Sequence, residues 1–68
     1  MVQIDARGMS CPQPVLMAKK ALTDYPEGIE IMVDNTTAKN NVERYMKQSG
    51  YAVSVKELND DFILYAKK

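Results

Sequence analysis

The residues best suited to chemistry lie in the segment Ser10-Cys11-Pro12-Gln13-Pro14. Cys11 is the only cysteine of this 68-residue chain, which contains no histidine. Proline is favoured in the first turn of a helix, where its missing N–H would lack an intrahelical acceptor anyway. We therefore predict a helix that begins here, with Ser10 or Cys11 as its N-cap. Because the N-terminus of a helix favours negative charge, the thiol is predicted to be exposed and reactive, with a lowered pKa.

The neighbouring residues are candidates for activating or positioning the thiolate. Pro12 and Pro14 stiffen the first turn and remove two backbone donors, whereas Gln13 keeps its own. Arg7 precedes the cysteine by four residues and is a candidate cation beside the thiolate. The alternative interpretation is that Arg7 is a solvated charge in the loop. Asp5 is interpreted as a strand-end or turn residue. The competing interpretation of the cysteine itself is a small buried hydrophobic residue.

Length and composition limit the kinds of protein that this chain can be. Its 68 residues, of which 46% are hydrophobic, predict one folded domain over residues 1–68. Nine basic and nine acidic residues cancel, so we expect no direct binding to nucleic acid. A lone cysteine without histidine predicts no metal site. The unpaired thiol and the absence of long apolar runs predict a cytoplasmic protein with no membrane segment.

Hydrophobic spacing predicts the elements that position the cysteine. Alternating apolar residues predict four strands, at Val2–Asp5, Ile29–Asp34, Tyr51–Leu58 and Asp61–Ala66. The first helix is expected to bury a helical stripe that consists of Val15, Ala18, Ala21, Leu22 and Tyr25. A second helix is expected to have its N-cap at Asn35, Thr36 or Thr37 and to end before Gly50, with Ala38, Val42, Tyr45, Met46 and Ser49 on one face.

The element order βαβαββ predicts an α/β (α+β) two-layer sandwich. Two helices on one face of a four-stranded mixed sheet are the simplest layering that buries both helical stripes. A hairpin turn is expected at Asn59-Asp60. The core face of the last two strands is expected to carry Val53, Val55, Phe62 and Leu64, which leaves Met32, Ile63 and Tyr65 on the opposite face.

Three apolar residues fall outside the predicted buried stripe near the cysteine: Met9, Leu16 and Met17. Flexible thioethers suit surfaces that bind several partners, so we interpret these residues as a docking patch. The alternative is partial burial beneath the loop, since the core of so small a protein is limited.

The segment Ile4–Val15, which reads I-D-A-R-G-M-S-C-P-Q-P-V, resembles the L-D-x-x-G-x-x-C-P-x-P signature of the TusA/SirA/YedF sulfur-carrier family. The resemblance covers essentially the whole chain, and Val33–Val42 with Gln48–Tyr51 look closest to the N-terminal domain of YedF-type proteins. It implies a carrier-type sulfurtransferase that acts by thiol–persulfide exchange. The persulfide position maps onto Cys11, and no other cofactor is implied.

The resemblance also implies partner proteins. These are a cysteine desulfurase or another sulfur donor, and a downstream acceptor such as a DsrE-like or tRNA-thiolation protein; sulfur and selenium both stay open as cargo. One alternative function is a non-catalytic regulatory module that binds RNA or protein, since the family fold resembles an RNA-binding domain of a translation factor. A thiol oxidoreductase is disfavoured, because the chain has no second cysteine to resolve a mixed disulfide.

Overall fold

The computed structural model describes residues 2–10 and 12–68. Its elements are β1 (Val2–Asp5), α1 (Gln13–Asp24), β2 (Gly28–Val33), α2 (Thr36–Gln48), β3 (Ala52–Leu58) and β4 (Asp61–Lys67). The strands form one sheet in the order β1-β2-β4-β3, in which β1 is parallel to β2 and β4 is antiparallel to both of its neighbours. The predicted βαβαββ order and mixed α/β sheet are therefore confirmed.

The core lies between the sheet and the two helices, and β2 is its centre. Ile29, Ile31 and Val33 are fully buried, as their alternation predicts. They pair in register with Ala66, Leu64 and Phe62 of β4, so the two central strands present one continuous apolar face to the helices. Burial of each large aliphatic side chain is worth roughly 1.5–3 kcal/mol, which makes this face the main source of stability.

Both ends of α2 carry the signals that the sequence predicts. The side chain of Asn35 accepts a hydrogen bond from the Ala38 N–H at 2.7 Å and is the N-cap. At the other end Gly50 has a φ of 93°, and its N–H donates to the Lys47 carbonyl at 3.0 Å. The Tyr51 N–H donates to the Met46 carbonyl at 3.1 Å, which completes a Schellman cap. These hydrogen bonds fix where α2 begins after β2 and where it ends before β3.

The start of α1 differs from the prediction. Its N-cap is Pro12, whose carbonyl accepts the Leu16 N–H at 3.1 Å, so the expectation of Ser10 as N-cap is wrong. The reason is a turn that precedes the helix, closed by the Gln13 N–H donating to the Ser10 carbonyl at 2.8 Å. The other candidate cap, Cys11, lies outside the described residues.

The buried face of α1 is rotated relative to the predicted stripe. Pro14, Ala18, Ala21 and Leu22 are buried, whereas Val15 is only partly so. The expectation of a buried Tyr25 is wrong: its side chain is 44% exposed, because the helix ends at Asp24 and Tyr25 leaves it with a φ of −131°. The buried stripe of α1 therefore begins one residue earlier than predicted, at Pro14, and ends before Tyr25.

The far face of the sheet carries Met32, Ile63 and Tyr65, as expected from the alternation. Ile63 pairs with Met32 and alternates with the buried Leu64, yet it is only 7% exposed. Val55 pairs with Leu64 on the core face, but it lies on an edge strand and is 38% exposed, so the expectation of a buried Val55 is wrong.

Within residues 2–10 and 12–68, neither helix is long and apolar enough to cross a membrane.

Candidate functional site

The loop that joins β1 to α1 is fixed to the end of β2 by backbone donors. The Ala6 N–H donates to the Met32 carbonyl at 2.8 Å, and the Gly8 N–H donates to Asp34 Oδ2, also at 2.8 Å. Gly8 has a φ of 77°, which a residue with a side chain adopts only with strain. The chain therefore approaches α1 along a defined path.

Arg7 lies in the same loop and is shared between two carboxylates. Its Nε and Nη2 donate to Asp5 Oδ1 and Oδ2 at 3.0 Å each, and its Nη1 donates to Asp61 Oδ2 at 3.2 Å. The hydrogen bond from the Arg7 side chain, followed by the one from its backbone N–H, lowers the pKa of the Asp5 carboxyl. The same carboxylates raise the pKa of Arg7 further. Because the pKa of Asp5 is lowered, this pairing is complete at neutral pH and is lost only as the pH falls through the lowered value.

Asp34 and Asp61 lie at the loop although no pattern in the sequence points to them. The carboxyl ends of the parallel strands β1 and β2 and the start of the antiparallel β4 meet at one edge of the sheet. Asp5, Asp34 and Asp61, at these three strand ends, consequently lie around the loop. To predict this, one must know the order of the strands in the sheet as well as their positions in the sequence. No group of three or more acidic or cysteine side chains within the described ranges is arranged to hold a metal ion.

Cys11 lies outside the described residues, so its predicted exposure and pKa stay predictions. The residues that follow it are described: Pro12 is exposed, Gln13 is the first helical residue and Pro14 is fully buried. The backbone N–H of Gln13, which the sequence offers as a donor to the thiolate, is engaged by the Ser10 carbonyl. The roles assigned to Pro12, Gln13, Pro14 and Arg7 at the thiolate also stay predictions.

A recess of about 110 Å³ opens between the loop and the starts of both helices. Its lining includes Met9, Ser10, Pro14, Val15, Asn35 and Thr37. Ser10 and Pro14 flank the cysteine closely in sequence, so the recess lies in the same region of the molecule as the candidate site. Its walls combine apolar side chains with amide and hydroxyl groups.

Two of the three predicted docking residues are exposed. Met9 is 42% and Leu16 is 49% exposed, which agrees with their predicted position outside the core. Met17, which the predicted helical stripe leaves outside the core, is instead partly buried and packs against it. Position 17 lies one turn from Pro14 and from Ala21, both of which are buried, so it falls on the flank of α1 that faces the sheet. The docking role of these residues stays a prediction.

The fold and this loop together define a small βαβαββ protein whose single cysteine comes, in sequence, immediately before Pro12, the N-cap of its first helix. The family model described as Sulfurtransferase TusA matches residues 2–68, and the chain belongs to this family. The crystal structure of a SirA-like protein from Desulfitobacterium hafniense superimposes with a TM-score of 0.90 at 32% identity and covers 98% of this chain and 96% of that one. The predicted closeness to YedF-type proteins in particular is not decided by these matches.

Two archaeal relatives have similar sequences. The protein named "Putative sulfur carrier protein MJ0990" from Methanocaldococcus jannaschii is 39% identical over 59 residues, which are 84% of this chain and 79% of that protein. A protein from Archaeoglobus fulgidus named "Putative sulfur carrier protein" is 32% identical over 100% of this chain and 92% of its own length. The similarity therefore extends along the whole fold and is not restricted to the cysteine segment.

The two prolines are expected to respond differently to substitution. Pro12→Ala restores an N–H next to the cysteine at an exposed position, so we expect alkylation of Cys11 at neutral pH to become about twofold faster with little change in stability. Pro14→Ala removes a fully buried ring from the first turn and is expected to cost about 1–2 kcal/mol. Iodoacetamide kinetics and urea unfolding measure the two effects. Unchanged alkylation in both variants would show that the prolines only shape the helix start.

Proposed function

We propose that this protein is a sulfur carrier that accepts sulfane sulfur as a persulfide on Cys11 and passes it to an acceptor protein. The observation that carries the proposal is the position of the only cysteine, which immediately precedes the N-cap of α1 in a chain of the TusA family. The relatives named as sulfur carriers support the same role.

The proposed reaction consists of two exchanges at sulfur. The Cys11 thiolate attacks the outer sulfur of a donor persulfide, a new S–S bond forms, and the S–S bond of the donor breaks to release its cysteine as a thiolate. An acceptor thiolate then attacks the outer sulfur on Cys11, and the Cys11 thiolate leaves. Each exchange conserves electrons, so no oxidant or reductant is required. A thiol with a lowered pKa serves both steps, since it is deprotonated for attack and is a good leaving group.

The composition of the chain suits a carrier. A second cysteine could attack the persulfide, form a disulfide and release the sulfur as sulfide, but this sequence has only one cysteine. The proposed donor is a cysteine desulfurase or another persulfide-bearing protein, and the proposed acceptor is a DsrE-like or tRNA-thiolation protein. Met9 and Leu16 offer exposed apolar contacts to such partners, which must bind weakly enough to exchange.

Intact-mass measurement tests the proposal. After incubation with a cysteine desulfurase and cysteine, we expect the native protein to gain about 32 Da, the mass of one sulfur atom, and to lose this mass on treatment with a reductant. Protein that is first alkylated with iodoacetamide is the control and should gain none. Absence of the gain with several competent donors, or an equal gain on the alkylated protein, would refute the carrier function.

A further inference from the structure

The two outer edges of the sheet differ in how they are protected. β3 is one edge strand and carries the exposed charged residues Lys56 and Glu57. Charged side chains on an edge strand oppose the addition of a further strand. β1 is the other edge strand, and its one charged residue is Asp5, whose carboxylate is already bound by the side chain of Arg7. Within residues 2–10 and 12–68, β1 is therefore the edge that is open to a further strand.

The backbone of β1 offers hydrogen-bonding groups on this open side. The Ala6 N–H donates to the Met32 carbonyl of β2, and successive residues of a strand point their backbone groups to opposite sides. The N–H and carbonyl of Ile4 therefore face β2, with which it is paired, whereas those of Gln3 and Asp5 face away from the sheet. β1 thus presents two residues that are able to form a ladder with a partner strand.

A groove of about 200 Å³ runs along the same edge, between β1 and α1. Its walls are mostly apolar, and its lining consists of Ile4, Met17, Lys20, Ala21, Asp24 and Tyr25. Lys20 and Asp24 are exposed and lie one helical turn apart, with 3.7 Å between Nζ and Oδ2. The groove therefore offers an apolar surface together with one positive and one negative charge.

We propose that a second copy of this chain occupies this edge, with the two β1 strands antiparallel across a two-fold axis at Ile4. In this register Gln3 of each copy pairs with Asp5 of the other, and their outward backbone groups exchange four hydrogen bonds. The side chains of these pairs are also complementary. The Gln3 amide is a donor, and Asp5 Oδ2, which accepts a hydrogen bond from Arg7 Nη2, has a further lone pair to accept it.

The same two-fold axis makes the two grooves complementary to each other. α1 packs against both β1 and β2, and neighbouring strands are about 4.8 Å apart, so the two α1 helices lie antiparallel at roughly 10 Å, a normal packing distance. With Ala21 near the axis, Met17 of one helix faces Tyr25 of the other, and Lys20 approaches Asp24 of the other. An unrelated peptide would gain the backbone hydrogen bonds without this reciprocal match of charges, so the groove favours a second copy.

The oligomeric state in solution tests the inference. The interface consists of a four-residue strand and one helix face, so we expect a weak dimer with a dissociation constant of roughly 0.1–1 mM. Sedimentation equilibrium should show the mass rising from one chain to two over this concentration range. Reductant is present throughout, because the single cysteine could otherwise link two chains by a disulfide. In NMR spectra the amide signals of Gln3 and Asp5 should shift as the concentration rises.

Charge variants on α1 identify the interface. Lys20→Glu places like charges at the contact between the helices and should raise the dissociation constant at least about tenfold. The matched control Lys19→Glu makes the same charge change at the adjacent exposed residue, which does not line the groove, and should leave the constant within about twofold of the native value. The exchange of Lys20→Glu with Asp24→Lys restores opposite charges across the axis and should recover the native constant.

A backbone variant tests the strand pairing. Gln3→Pro removes an N–H that faces away from β2, so the pairing of β1 with β2 should persist while the dimer is lost. A native protein that stays monomeric at millimolar concentration, equal weakening by Lys19→Glu, or an exchange variant that stays monomeric would each overturn the inference. Shifts of the Gln3 and Asp5 amides that appear only when an extended peptide of another protein is added would also overturn it and would assign the edge to that partner. These measurements require no sulfur donor, so they are independent of the test of the carrier function.

Discussion

The Cys11→Ser variant is expected to accept no sulfur from a cysteine desulfurase supplied with radiolabelled cysteine, while the native protein retains the label until reductant is added. Serine lacks the polarisable sulfur that forms an S–S bond, so the loss should be complete and not partial. The substitution exchanges one atom and adds no volume, so we expect its free energy of unfolding to stay within about 1 kcal/mol of the native value. Gel autoradiography without reductant and urea unfolding measure the two quantities.

Relocation of the thiol by one residue provides a matched control for this variant. The double variant Ser10→Cys, Cys11→Ser also contains one thiol, but its cysteine lies one residue further from the helix in sequence. We expect it to accept label at least about tenfold more slowly, since sulfur exchange requires an aligned approach of two thiols. Full labelling of the single Cys11→Ser variant would contradict the assignment of Cys11. Salt-dependent retention of the native protein on RNA, without labelling, would favour the alternative of a regulatory binding module.

Gly28→Ala is expected to cause a larger loss of stability than either proline substitution. Gly28 begins β2 with a φ of 143°, and a Cβ added to it would overlap the carbonyl oxygen of Ala66. The overlap is with backbone of the adjacent strand β4, which cannot turn aside as a side chain can. We expect a cost of about 3 kcal/mol or more, measured as the fall in the free energy of unfolding in urea.

Gly50→Ala is the control that separates backbone strain from overlap. Gly50 also has a positive φ, of 93°, but apart from its chain neighbours no heavy atom of residues 2–10 and 12–68 lies within 4 Å of the position that a Cβ would take. Its substitution should therefore cost only the strain of a left-handed alanine, about 1 kcal/mol. Equal costs at the two positions would show that β4 moves away from β2 without penalty, contrary to the packing described above.

Much of the fold is predictable from the sequence because its signals are local. The alternation of Ile29, Ile31 and Val33 suffices to define β2, and Asn35 and Gly50 mark the two ends of α2. These signals are each satisfied within a few residues of the chain, by hydrogen bonds or by the period of a strand. The turn at Asn59, whose φ is 54°, belongs to the same group.

The errors and omissions have a different origin. The exposure of Tyr25 and the partial burial of Met17 depend on where α1 ends and how it is rotated on the sheet, and periodicity alone decides neither. The contact between Arg7 and Asp61 depends on the order of the strands, because β4 is the strand that lies next to β2. Charged residues in loops carry no period, so their partners become visible only when the strands are assembled.

The placement of β4 has a consequence for how the chain acquires its structure during synthesis. The last strand of this fold to leave the ribosome occupies an interior position, and both β2 and β3 form their antiparallel ladders with it. Until residues 61–67 have emerged, β2 has a partner only in β1, and its fully buried Ile31 lacks the neighbour Leu64. We therefore expect a nascent chain to close its sheet only after translation of β4, in one cooperative event in which Arg7 of the loop also gains its contact with Asp61.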